Sequence, residues 1–176
     1  MFGASVGDML VMKGDDGDSG KVRLSESFRF FNGIYKELYV NINGGISFKK
    51  AMTSFTPQDF PMEAKTPLIA PYWADVDTRK GGKIWYRQST NQRDLDAATA
   101  QIRAFHGAKY ADFRATWAFI ATWDNVPFYH ASRSRGRKRR CTFQGVLVVD
   151  ASTHMSFAIL NYAKLQWVAG AQSGGE

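Results

Sequence analysis

Two stretches leave the backbone little choice: ATWAFIATWDNV at residues 115–126 and TFQGVLVVD at 142–150. Both are dense in β-branched and aromatic side chains, which lose rotamer freedom in a helix and pack well on a pleated surface. They predict central, well-buried strands. Shorter pieces repeat the texture. In LYVNINGGISF (38–48), Leu38, Val40 and Ile42 fall on one face while Tyr39 and Asn41 fall on the other. Asn43-Gly44 then offers the positive φ angles of a tight turn, and Ile46 and Phe48 resume the alternation, which predicts a β-hairpin. TPLIAPYWADVDTR (66–79) reads as a strand whose Pro67 and Pro71 suit an edge. GGKIWYRQS (81–89) and MSFAILNYAKLQW (155–167) read as two more, the second after a turn at 150–153.

One segment departs from this. In NQRDLDAATAQIRAF (91–105), Leu95, Ala98, Ile102 and Phe105 recur at helical spacing. Asn91 is placed to cap the helix, with Asp94 and Asp96 near its positive end. The expectation is a mainly β, β-sandwich-like fold of antiparallel sheets, with one amphipathic helix at about 92–106.

At 176 residues, with 44% apolar and 14% aromatic side chains, the chain can form one domain with a real core. Its net charge of +7 suggests an anionic partner, but the charge is local. Arg133, Arg135, Arg137, Lys138, Arg139 and Arg140 place six cations in eight positions, and without them +1 remains. A nucleic-acid-binding domain usually spreads its cations over a face or along a helix, so nucleic acid is a poor fit as partner. Four readings suit the run: a polyanion patch for glycosaminoglycan or nucleic acid, a nuclear address, a processing-protease site, or a solvated loop. The processing reading rests on 137–140, which match the R-x-K/R-R pattern of secretory convertases.

No apolar run approaches the roughly 18 residues of a membrane span, and no signal peptide is visible at the N-terminus. A single cysteine, Cys141, is buried, free, or a candidate for an intermolecular disulfide. The GDDGDSG loop (14–20) offers Asp15, Asp16 and Asp18 as candidate calcium ligands, although the downstream glutamate of a helix-loop-helix calcium site is missing. Calcium is the one cofactor these residues suggest. Asp75 and Asp77, two apart on an expected strand, would share a face and suit metal binding or acid–base work. Pairing of Asp77 with Arg79 is the plainer alternative. A second convergent set of ionisable groups is missing, so no enzyme activity is expected. His106, His130 and His154 lack metal-ligand spacing. Most of the five tryptophans suit core packing more than a sugar-stacking surface.

Six phrases, YVNINGGISF, FPMEAKTPLIAPYWADVDTR, GGKIWYRQST, ATWAFIATWDNVPFY, TFQGVLVVD and SFAILNYAKLQWVAG, stand in the order and spacing of the nidogen-like extracellular domain. The resemblance runs over about 22–175 and is nearest to tectorin-type members, through FTPQDFP and the SGG ending. It implies a non-catalytic module of secreted or cell-surface matrix proteins, acting in cell–matrix adhesion or matrix structure. The implied partners are extracellular matrix proteins or glycosaminoglycans, and the parent protein could be membrane-anchored. It divides the chain into an N-terminal extension with the acidic loop (1–21) and a nidogen-like domain (22–176). That domain is expected to be truncated, because the family continues past SGG. Two departures stand out: Cys141 replaces an asparagine usual before TFQ, and the arginine burst replaces a small polar loop. The resemblance makes that burst an inter-strand loop, with glycosaminoglycan binding ahead of convertase cleavage as its functional reading. No Asn-x-Ser/Thr acceptor is present.

Overall fold

The computed structural model describes residues 1–62, 65–131 and 139–168. Strands β1 (Met9–Leu10), β6 (Lys83–Ser89), β7 (Trp117–Val126), β8 (Cys141–Asp150) and β9 (Met155–Leu165) form one antiparallel sheet in the order β1-β6-β7-β8-β9. Strands β2 (Val22–Phe30), β3 (Gly33–Asn41), β4 (Gly45–Ser47) and β5 (Leu68–Ile69) form a second, in the order β2-β3-β4-β5. The expected mainly β sandwich is what forms.

The two phrases that dominate the sequence sit where both sheet faces are covered. Trp117, Phe119, Ala121 and Trp123 of β7, with Phe143, Leu147 and Val149 of β8, enter the main core against Leu38, Val40, Ile46 and Phe48 of the hairpin region. The alternate residues Ala118, Ile120, Val146 and Val148 form a second core beneath helix α1 (Gln92–His106). Double burial is why these phrases are nearly continuous in apolar residues, where a strand with one wet face would alternate.

Helix α1 starts where Asn91 Oδ1 accepts from the Arg93 N–H at 3.0 Å, and it ends at Gly107, φ 58°. Leu95, Ala98 and Ile102 are buried as expected; Phe105 is 86% exposed. Tyr110 and Phe113, from the following turn, pack edge-on against Phe157 at 5.0 Å, so Phe113 closes that end of the second core instead.

Two local expectations are corrected. Asn41 pairs with Gly45, so the hairpin loop is the three residues Ile42-Asn43-Gly44, and of Asn43 and Gly44 only Gly44 has positive φ, 85°. A side chain there would put Cβ 1.8 Å from the Tyr72 carbonyl oxygen, so the position requires glycine. Residues 66–79 also do not form one strand: β5 is two residues long, and Val76 makes an isolated bridge to Phe128. Pro71 has no N–H for a ladder, and the N–H groups of Ala74 and Val76 go instead to the carbonyl and side-chain oxygens of Asn43 (3.1 and 2.9 Å).

The N-terminal residues join the sandwich. Met9 and Leu10 pair with Tyr86 and Trp85, Val11 lies in the main core, and Arg87 reaches Asp8 (2.7 Å) and Asp94 of α1 (2.9 Å). Among the described residues no helix is long and apolar enough to cross a membrane.

Candidate metal centre

The acidic loop lies against the hairpin turn and the segment that carries Asp75 and Asp77. Thr78 holds Gly14 through three contacts: its N–H and hydroxyl donate to the Gly14 carbonyl, and its hydroxyl oxygen accepts the Gly14 N–H, each at 2.9 Å. Ile42 N–H donates to the Gly17 carbonyl at 2.9 Å. Buried Asn43 bridges the two sides, its amide donating to Asp16 Oδ1 at 2.8 Å while its oxygen accepts from Val76 N–H. The result brings carboxylate oxygens of Asp15, Asp16 and Asp75 within 4.8 Å of one another. Asp18, the third candidate in the sequence, is used elsewhere: it bridges Asn41 through its backbone and accepts the Gly20 N–H at 2.6 Å.

The charges are poorly balanced. Asp75 is 2% exposed, and its Oδ2 has no hydrogen-bond partner. Burial above all, then the neighbouring Asp15, Asp16 and Asp77, pushes its carboxyl up to about 6. Asp15 is also pushed up by burial, which Arg79 opposes. Its Oδ2 accepts from Arg79 Nη2 at 2.7 Å, while its Oδ1 is buried without a partner. Asp77 is fully engaged by the same guanidinium, with Nε to Oδ1 at 2.8 Å and Nη2 to Oδ2 at 3.0 Å. The sequence pair Asp75/Asp77 therefore separates into an arginine-bound member and a member facing other acids. Arg79 bonds two of the four acids, Asp15 and Asp77, and the oxygen-rich group of Asp15, Asp16 and Asp75 is an arrangement suited to holding a hard cation.

Arg133, Arg135, Arg137 and Lys138 lie outside the described residues. Arg139 is exposed; Arg140 is half-buried, its N–H donating to Gln166 Oε1 at 3.0 Å. Cys141 opens β8 fully buried, with its thiol 3.6 Å from the Trp167 carbonyl; burial pushes the thiol up. His106 ends α1, His130 stacks on Tyr129 at 4.1 Å, and His154 lies in the turn before β9. Trp117, Trp123 and Trp167 are core residues. Half-buried Trp73 donates to the Ser54 carbonyl, and half-buried Trp85 lies under Lys83.

A two-sheet sandwich with a helix over the outer face of one sheet, and an acidic cluster at a loop junction, is the class of domain present. The profile of the nidogen-like domain matches residues 36–176, and the chain belongs to that family. It is 40% identical to alpha-tectorin of Gallus gallus over 169 residues, 96% of this chain and 8% of that protein. Nidogen-2 of Mus musculus is 37% identical over 86% of this chain and 11% of its own length. Nidogen-1 of Homo sapiens is 32% identical over 92% of this chain and 13% of its own length. The chain thus spans a small fraction of each relative. No solved structure matches it.

Proposed function

We propose that the chain is a non-catalytic module of an extracellular matrix or cell-surface protein, acting in adhesion or matrix structure. The observation that carries this is membership of the nidogen-like family across 36–176, with similarity to tectorin- and nidogen-type proteins over nearly the whole chain. The site chemistry agrees with it. Asp77 is tied to Arg79 and Asp75 faces Asp15 and Asp16, so the two carboxylates of the strand pair are engaged separately and not as an acid–base couple. Glycosaminoglycans fit the run 133–140 as a second class of partner, through counterion release.

The test is expression of the complete open reading frame in animal cells, followed by localisation without permeabilisation and by attachment of cells to surfaces coated with the purified domain. Surface or matrix staining with attachment above an albumin control is expected. Retention in the cytosol or nucleus would reject the reading.

A further inference from the structure

We propose that Asp15, Asp16 and Asp75 form a calcium-binding site that pins the N-terminal acidic loop to the sandwich. Each of the three keeps an oxygen for the ion. Arg79 takes Asp15 Oδ2, leaving the buried Oδ1; Asn43 takes Asp16 Oδ1, leaving Oδ2; Asp75 Oδ2 is buried without any partner. The hydrogen bonds thus orient the carboxylates, and one oxygen from each lies within 4.8 Å of the other two. Calcium bonds oxygen at about 2.3–2.6 Å, so ligands on opposite sides of one ion stand about 4.6–5.2 Å apart. The observed oxygens lie within 4.8 Å, which fits one coordination sphere.

The second observation is Asp75 itself. An unpaired carboxylate at 2% exposure is costly unless a cation compensates it. Arg79 donates to Asp15 through Nη2 and to Asp77 through Nε and Nη2, and Asp75 Oδ2 receives none of these bonds. The donor set is all oxygen, without histidine or cysteine, which selects a hard ion over zinc. Exposed Asp16 leaves the outer side open to water, and the ligands come from a glycine-bounded loop, conditions that calcium's irregular geometry tolerates better than magnesium's octahedron.

The experiment is calorimetric titration of the 176-residue chain with calcium chloride after chelator treatment, alongside thermal melts. A single saturable site is expected, with Kd of about 10⁻⁴–10⁻³ M as in extracellular modules, and a higher Tm with calcium than with equal magnesium. D16N, at an exposed position, should weaken binding at least about tenfold without loss of fold, and D75N should abolish it while raising the calcium-free Tm. D18N should bind as the parent does. Absence of saturable binding at millimolar calcium, equal response to magnesium, or unchanged binding in folded D16N and D75N would overturn the site.

Discussion

Trp123 reaches across the sandwich and donates its indole N–H to the carbonyls of Ile42 and Asn41, at 3.0 and 3.2 Å. This joins the central strand of one sheet to the hairpin turn that supports the acidic loop. Trp117, six residues earlier on the same strand and equally buried, has an indole nitrogen without an acceptor. The two tryptophans therefore separate packing from hydrogen bonding. W123F loses volume and strands the Ile42 carbonyl, while the Asn41 carbonyl keeps the Gly44 N–H, for a cost of about 2–4 kcal/mol. W117F loses the same volume but removes an unpaired donor, so its cost should be smaller by about 1–3 kcal/mol. Urea denaturation of both variants measures the gap, and equal costs would refute the bridging role of Trp123.

Arg87 is nearly enclosed and shares its charge between Asp8 and Asp94. Asp8 also accepts the Gly3 N–H at 2.6 Å, so one carboxylate fixes the N-terminal segment and half-neutralises a buried cation. D8A should cost about 3–5 kcal/mol, as when one partner of a buried pair is removed. Deleting residues 1–11 removes that carboxylate along with Val11 and β1, and should be at least as harmful. A deletion variant as stable as the parent would show the first strand to be dispensable.

The strands and helix were legible because period-two and period-3.6 patterns are local, and the doubly buried phrases of β7 and β8 are long. The acidic site was half legible. Asp15 and Asp16 stand out as a loop pair and Asp75 as a strand pair, but nothing local says that the two meet. Their meeting depends on Asn43, which reads as a turn residue and acts instead as a buried strut between Asp16 and Val76. Such a strut is set by tertiary packing, and its only trace in the sequence is a second asparagine two residues after Asn41. Phe105 fits the helical stripe and is still exposed, while Phe113 from a later turn enters the second core. Sequence periodicity cannot rank competitors from different segments.

Asp150 governs the turn between β8 and β9. Burial alone would raise its carboxyl, but the Ser152 hydroxyl and the N–H groups of Arg114 and Ser152 outweigh that and hold it below the ordinary 3.8. A depressed folded-state value stabilises the fold above the unfolded value and loses that contribution as pH falls through the folded one. D150N should therefore be less stable than the parent by about 1–3 kcal/mol at pH 7, and the difference should shrink below pH 3.8. Melts from neutral to strongly acidic pH provide the measurement. A gap that stays constant with pH would mean that the charge is irrelevant.

Cys141 is fully buried beside Trp167, and burial raises its thiol, so little thiolate forms and little of it is reachable. In the folded chain it should react with a disulfide reagent at a rate set by unfolding. In denaturant it should titrate fully within the mixing time. C141S should weaken the fold modestly, by about 1–2 kcal/mol, because a hydroxyl replaces a thiol in an apolar site. Rapid labelling of the native chain would contradict the burial, and a disulfide-linked dimer would show that the thiol becomes accessible between chains.

The run 133–140 is the last feature that chemistry can assign by itself, since six of the seven net positive charges reside there. If it grips sulfated polysaccharide, affinity must come mostly from counterion release and fall steeply with salt. Replacing all six cations by serine should eliminate retention on immobilised heparin at moderate salt. Replacing Arg139 and Arg140 alone should lower the eluting salt partway, because the other four cations remain. A parent chain that flows through at low salt rejects the polyanion reading. So does a six-fold variant that elutes with the parent, since the bound charges would then lie on the body of the domain.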